Sequence, residues 1–206
     1  MTVIVIDSDY EEVTEACQEY RQSEVYPTLK KAGFTIDAFS GNTARRASIA
    51  PQLTAPGVRF ITGSGHGLER RFTGFNGEPI LEIGRYDPNE SRDKIIHLLA
   101  CLTAAELGGD LVKNGCVAFF GYDVVFMFPL DAPDLFLDCD AEIDFALAHG
   151  RTAGEAYWGA YDAFTNRMQQ LLATGRPYLA AMLEYNRDHL CAPSTDAKWG
   201  TVDAAL

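Results

Sequence analysis

His66 and Cys101 are the two residues of this chain whose types and surroundings could do chemistry together. His66 ends the stretch Val58 to Gly67, an apolar run that breaks into alternating glycines, and Cys101 closes a second apolar run, Ile95 to Leu102. An imidazole within reach of a thiol can take its proton and make it a nucleophile. If the two runs are neighbouring parallel strands, both side chains emerge at the carboxyl edge of one sheet, where open α/β folds place their chemistry. Gly63, Gly65 and Gly67 permit the sharp turn needed to aim His66. Gly67 also leaves its N–H open to a substrate carbonyl, and the N–H of Cys101 is a second candidate donor for an oxyanion.

The elements that must position this pair follow from periodicity. Val3 to Ile6 is a β-branched strand running into Asp7, Ser8 and Asp9, after which Tyr10, Val13, Cys17 and Tyr20 recur at helical spacing. Pro27 opens a second helical piece through Lys31, Gly33 stops it, and Phe34 to Phe39 is the next strand. Ala44 to Leu53 reads as a helix, Val58 to Thr62 as a strand, and the glycine-rich Phe72 to Asp87 as a hairpin-like excursion with a strand at Ile80 to Ile83. Ile95 to Ala100 has the unbroken apolar character of a strand buried on both faces. A helix from Thr103 to Lys113 and a strand from Cys116 to Phe120 follow. Strand and helix in alternation predict an α/β three-layer sandwich, a mostly parallel sheet with helices on both faces. The last third predicts helices only: Asp140 to His149, one opened by the capping box Thr152 to Glu155, and one from Pro177.

With 206 residues, 47% of them hydrophobic, the chain can bury one substantial core. We expect a single domain, with its core in about 1–130 and a helical elaboration in about 138–192. The formal charge of −12 disfavours nucleic-acid phosphates and anionic membranes as partners. No run is long enough to span a bilayer and no signal peptide is legible at Met1, so a cytoplasmic location is the expectation. The five cysteines are scattered and form no CxxC pair, which indicates neither a disulfide framework nor a zinc ribbon. Cys17, Cys116, Cys139 and Cys191 are expected to be structural, as are His149 and His189, and His97 inside the apolar strand reads as a core histidine. The tract Gly63 to Gly67 lacks the spaced glycine, Lys and Ser/Thr of a P-loop.

An apolar strand ending in His-Gly, then an apolar strand ending in Ala-Cys and a helix, resembles the caspase-like cysteine peptidases of clan CD. Ile96 to Thr103, Leu111 to Gly115 and Val117 to Tyr122 are locally most similar to the CHAT and gingipain branch, and the resemblance covers about Val3 to Phe128. It implies a cysteine endopeptidase with His66 as general base and acid, Cys101 as nucleophile, and the N–H groups of Gly67 and Cys101 as oxyanion hole. It implies a protein or peptide substrate and no cofactor or metal; calcium activates some relatives, yet no calcium loop is evident. Gln-Ala-Cys-Arg-Gly of the caspases is absent. In this fold the pocket for the residue before the scissile bond is built near the end of the first strand and near the cysteine, which points to Asp7 and Asp123 as substrate-binding carboxylates and to Arg or Lys as the selected residue. Asp7 has the competing reading of a helix N-cap. The C-terminal helices could carry a regulatory partner. A silent scaffold and a doubly wound nucleotide or small-molecule binder are the alternatives to an enzyme.

Overall fold

The computed structural model describes all residues from Met1 to Leu206. β1 (Thr2–Asp7) is followed by α1 (Glu12–Tyr20), a π-helical turn (Arg21–Val25) and α2 (Tyr26–Lys31). β2 (Thr35–Ser40), α3 (Arg46–Leu53) and β3 (Val58–Ser64) come next, and then a small antiparallel excursion of β4 (Gly67–Leu68), β5 (Arg71–Thr73) and β6 (Pro79–Glu82). β7 (Ile95–Leu99), α4 (Leu107–Lys113) and β8 (Ala118–Tyr122) complete the first part; α5 (Asp134–Ala148), α6 (Ala153–Ala173), α7 (Pro177–Asp188) and the short β9 (Leu190–Cys191) close the chain.

The main sheet has the order β2-β1-β3-β7-β8-β9, parallel throughout except for the antiparallel edge strand β9. Side chains alternate between its faces. Val3, Val5, Phe60, Leu99 and Phe120 enter one core with α1, α2 and α5–α7, whereas Ile4, Ile6, Ile61, Leu98 and Phe119 enter the other with α3, α4 and the excursion. Trimming a fully buried phenylalanine such as Phe60 to alanine would cost about 3–5 kcal/mol. The C-terminal helices are thus one layer of the sandwich: Ile143, Phe164 and Leu183 share a core with β1 and β3.

Several boundaries depart from the sequence pattern: the helix expected from Thr103 begins only at Leu107, after a run of turns. α5 begins at Asp134, directly after its cap Pro133 and more than one and a half turns before Asp140. The strand expected at Cys116 begins at Ala118, because Gly115 turns with φ 102° and the Cys116 N–H is drawn back to the Leu111 carbonyl at 3.0 Å. β9 was not anticipated, being only two residues long.

Candidate active site

The register of the parallel strands brings the two loops together. Ser64 at the end of β3 lies opposite Leu99 at the end of β7, and His66 and Cys101 each follow these partners by the same short step. The Gly65 N–H donates to the Leu99 carbonyl at 3.2 Å, stitching one loop to the other. A Cβ at position 67 would collide with the Cys101 carbonyl oxygen, so only glycine allows this approach. In the β4–β5 hairpin Gly67 stands opposite Phe72, and the bond from the Thr73 N–H to the His66 carbonyl makes that pair a non-hydrogen-bonded one. The Gly67 N–H therefore points out of the hairpin. Immediately after Cys101, Leu102 takes a left-handed φ of 60°, held by its N–H to the Val124 carbonyl at 2.9 Å. A branched residue in that region is strained, and here the strain falls on the turn that presents the thiol.

His66 and Cys101 border one cavity of about 290 Å³, walled by Val13, Cys17, Leu99, Val125, Phe126 and Phe128. The Cys101 thiol is partly buried, and that burial raises its pKa, against weaker opposition from backbone N–H groups at Phe126 and at Cys101 itself. It rests as a thiol and needs a base. The His66 imidazole is half exposed, its Nε2 is paired with the Glu11 carboxylate, and Tyr10 meets it edge-on with centroids 5.9 Å apart. The Thr73 hydroxyl and N–H both donate to the His66 carbonyl, at 3.0 and 2.9 Å, and fix its backbone. Glu11 went unnoticed in the sequence, where it is one of several carboxylates after β1.

Asp7 and Asp123 are not brought to this cavity, which corrects the sequence reading of both. Asp7 is fully buried: its Oδ1 accepts from Arg21 Nε at 2.8 Å, the Ser64 N–H at 2.8 Å and the Ser64 hydroxyl at 2.9 Å, and its Oδ2 from the Tyr26 hydroxyl at 2.8 Å. Both of its oxygens are already engaged within the fold. It is not an N-cap either, since Glu11 holds that position on α1. Asp123 is a surface residue whose carboxylate faces His189 Nδ1 at 2.9 Å.

Arg21 is the centre of a buried ionic cluster on the same face of the sheet. Beyond Asp7, its Nη1 donates to Asp144 at 2.9 Å and its Nη2 to the Thr62 hydroxyl at 2.8 Å. His97 lies between two carboxylates of α5, with Nε2 3.3 Å from Asp140 Oδ1 and Nδ1 3.2 Å from Asp144 Oδ1, the second contact too poorly angled for a hydrogen bond. The Tyr122 hydroxyl donates to Asp140 at 2.8 Å. Burial works against a charged His97, but Asp140 and Asp144 outweigh it and lift its pKa to about 9. Burial likewise works against an ionised Asp144, and His97 and Arg21 overcome it, holding the carboxyl at about 2. The histidine expected in the core is there, as a cation.

Cys116, Cys139 and Cys191 are buried away from this cavity, whereas Cys17 forms part of its wall. His149 borders a larger, more open groove of about 820 Å³ on the helical layer, among Thr28, Glu142, Arg151 and Glu155, with no thiol or hydroxyl nucleophile partnered to a base. No cluster of three or more metal-ligating side chains is formed, and no helix is long and apolar enough to cross a membrane.

No protein-family model and no curated protein sequence matches the chain. Among solved structures it is similar to the Arg-specific cysteine proteinase gingipain R, with a TM-score of 0.65 at 13% identity over 100% of this chain and 47% of the other. It is also similar to the complex of Porphyromonas gingivalis RgpB pro- and mature domains, with a TM-score of 0.55 at 12% identity over 93% of this chain and 46% of the other. The chain spans about half the length of these structures. Its order of strands, the helices on both faces and this likeness together show the caspase-like α/β fold of gingipain R.

Proposed function

We propose that this chain is a cysteine endopeptidase in which Cys101 is the nucleophile and His66 the base. The observation that carries the proposal is the convergence of a part-buried thiol and a half-exposed imidazole on one apolar cavity, at adjacent strand ends of a peptidase fold. Glu11 on Nε2 favours the tautomer whose Nδ1 can accept a proton. As the Cys101 sulfur bonds to the scissile carbonyl carbon, its proton passes to His66, and the Gly67 and Cys101 N–H groups receive the oxyanion. Collapse breaks the C–N bond while His66 returns the proton to the leaving amine. Water, deprotonated by His66, then cleaves the thioester and restores the thiol. This sequence of steps calls for no cofactor. The local likeness of Ile96 to Thr103 to the CHAT and gingipain branch agrees with the assignment.

Selection of Arg or Lys, the expectation built on Asp7 and Asp123, has support from neither position. The nucleotide-binding alternative is disfavoured by Gly65, whose missing side chain is matched by close contact with Ser8 and Thr73 instead of an open cradle. A silent scaffold is the second reading, favoured by the exposed Trp158, Leu172 and Tyr178 on the outer helices, a surface on which a regulatory protein could sit. Turnover of a peptide library by the wild-type chain, lost by at least about 10³-fold in both Cys101→Ala and His66→Ala with unchanged circular dichroism, is the expected result. Turnover that survives Cys101→Ala would sink the assignment.

A further inference from the structure

The cavity at Cys101 has a composition that says what it holds. A peptide whose carbonyl sits on the Cys101 sulfur places the side chain just before the scissile bond nearest that sulfur, and the cavity begins there. None of the eleven residues that line it is acidic or a lysine or arginine, and eight are hydrophobic. Val125, Phe126 and Phe128 form one wall from the segment after β8, and Val13 with Cys17 forms another from α1. Burial and the carboxylates of Asp140 and Asp7 push the Cys17 thiol up to about 12, which keeps that wall uncharged. The carboxylates around this site are spoken for: Asp7 by Arg21 and Tyr26, Asp140 by Tyr122 and His97, Glu11 by His66.

Resting on the peptidase reading, we propose that the residue selected before the scissile bond is a large apolar one, leucine, methionine or phenylalanine. A charged side chain entering this cavity would lose its hydration without a partner, which is far more costly than any difference in fit. Among apolar side chains the discrimination is graded, with each missing methylene losing on the order of 10-fold or more. The size agrees, since about 290 Å³ lies at the small end of ligand cavities and suits one side chain rather than an extended group.

The test uses the full chain and fluorogenic peptides differing only at the residue before the cleaved bond, with acyloxymethyl ketone probes of the same sequences for labelling Cys101. The expected result is a kcat/KM for Leu, Met and Phe at least about 100-fold above that for Arg, Lys and Asp. A second variant reads the cavity itself. Val13 is 43% exposed at the start of α1, where an added carboxylate suits the helix and spares the fold, so Val13→Asp should raise Arg relative to Leu by about 10-fold. Cys101-dependent turnover that favours Arg, Lys or Asp in the wild type, or a selectivity that Val13→Asp leaves unmoved, overturns the apolar pocket and keeps the peptidase. Neither turnover nor labelling of Cys101 by any probe overturns the peptidase reading, and the pocket with it.

Discussion

Around Arg21 and around Cys101, regions that share β3 and β7 and lie within about a helical turn of chain on each, polar groups meet opposite treatment. In the first region two cations and three carboxylates lie fully buried and are bound to one another and to Thr62, Ser64, Tyr26 and Tyr122. In the second a thiol and an imidazole stand part-exposed beside apolar walls, with one carboxylate on the far nitrogen of the ring. A group shut from solvent and held by ion pairs from within serves the fold; a group left with capacity and access can serve a substrate. The two are also coupled. Asp7 binds the Ser64 N–H just before the His66 loop, so the closed cluster is the footing of the open site.

Breaking the cluster should have the largest effect. Arg21→Met leaves Asp7 and Asp144 buried without their main cation and should cost about 3–5 kcal/mol in urea unfolding; a loss under about 1 kcal/mol would mean that water or rearrangement replaces the guanidinium. Gly67→Ala tests the contact between the two loops. By pushing the Cys101 carbonyl away it should lower kcat by about 10–100-fold, with KM changing little, as assayed on the preferred peptide. If KM alone moves, the glycine serves binding and not the oxyanion.

The pH dependence of stability separates the regions further. His97 titrates near 6.5 when unfolded and at about 9 when folded, so its contribution is whole below pH 6.5 and is lost as pH rises through about 9. Asp144 has the opposite sign, being fully stabilising above pH 4 and losing its contribution as pH falls towards 2. Thermal melts should therefore decline between pH 6.5 and 9, and His97→Gln should flatten that slope while melting lower at pH 6. The smallest effect is expected from Glu11→Gln, since both partners are exposed: a several-fold fall in kcat/KM on the preferred peptide. An unchanged kcat/KM would reduce Glu11 to a helix cap.

How much of this was written in the sequence differs between the same two regions. β1, β3 and β7 are buried on both faces and so appear as plain apolar runs, which is why His66 and Cys101 could be placed at one edge. The ionic cluster has no such signature. Asp140 and Asp144 are fully buried, yet by type they look like the wet face of a helix. Asp7 misled for the complementary reason: its partner lies in a π-helical turn that swings Arg21 inward, and nothing in local spacing announces that turn. Glu11 sat in plain view but needed the β3 loop beside it to acquire a role.

The bond from Arg21 to Asp144 joins residues 123 positions apart. A chain leaving the ribosome therefore makes Arg21 and His97 long before it makes the α5 carboxylates that complete their pairing. Until that helix has emerged, Arg21 has Asp7 without Asp144, and His97 has neither of its carboxylates. The strands that lead to His66 and Cys101 thus reach their final packing only when the helical layer arrives to close the cluster beside them.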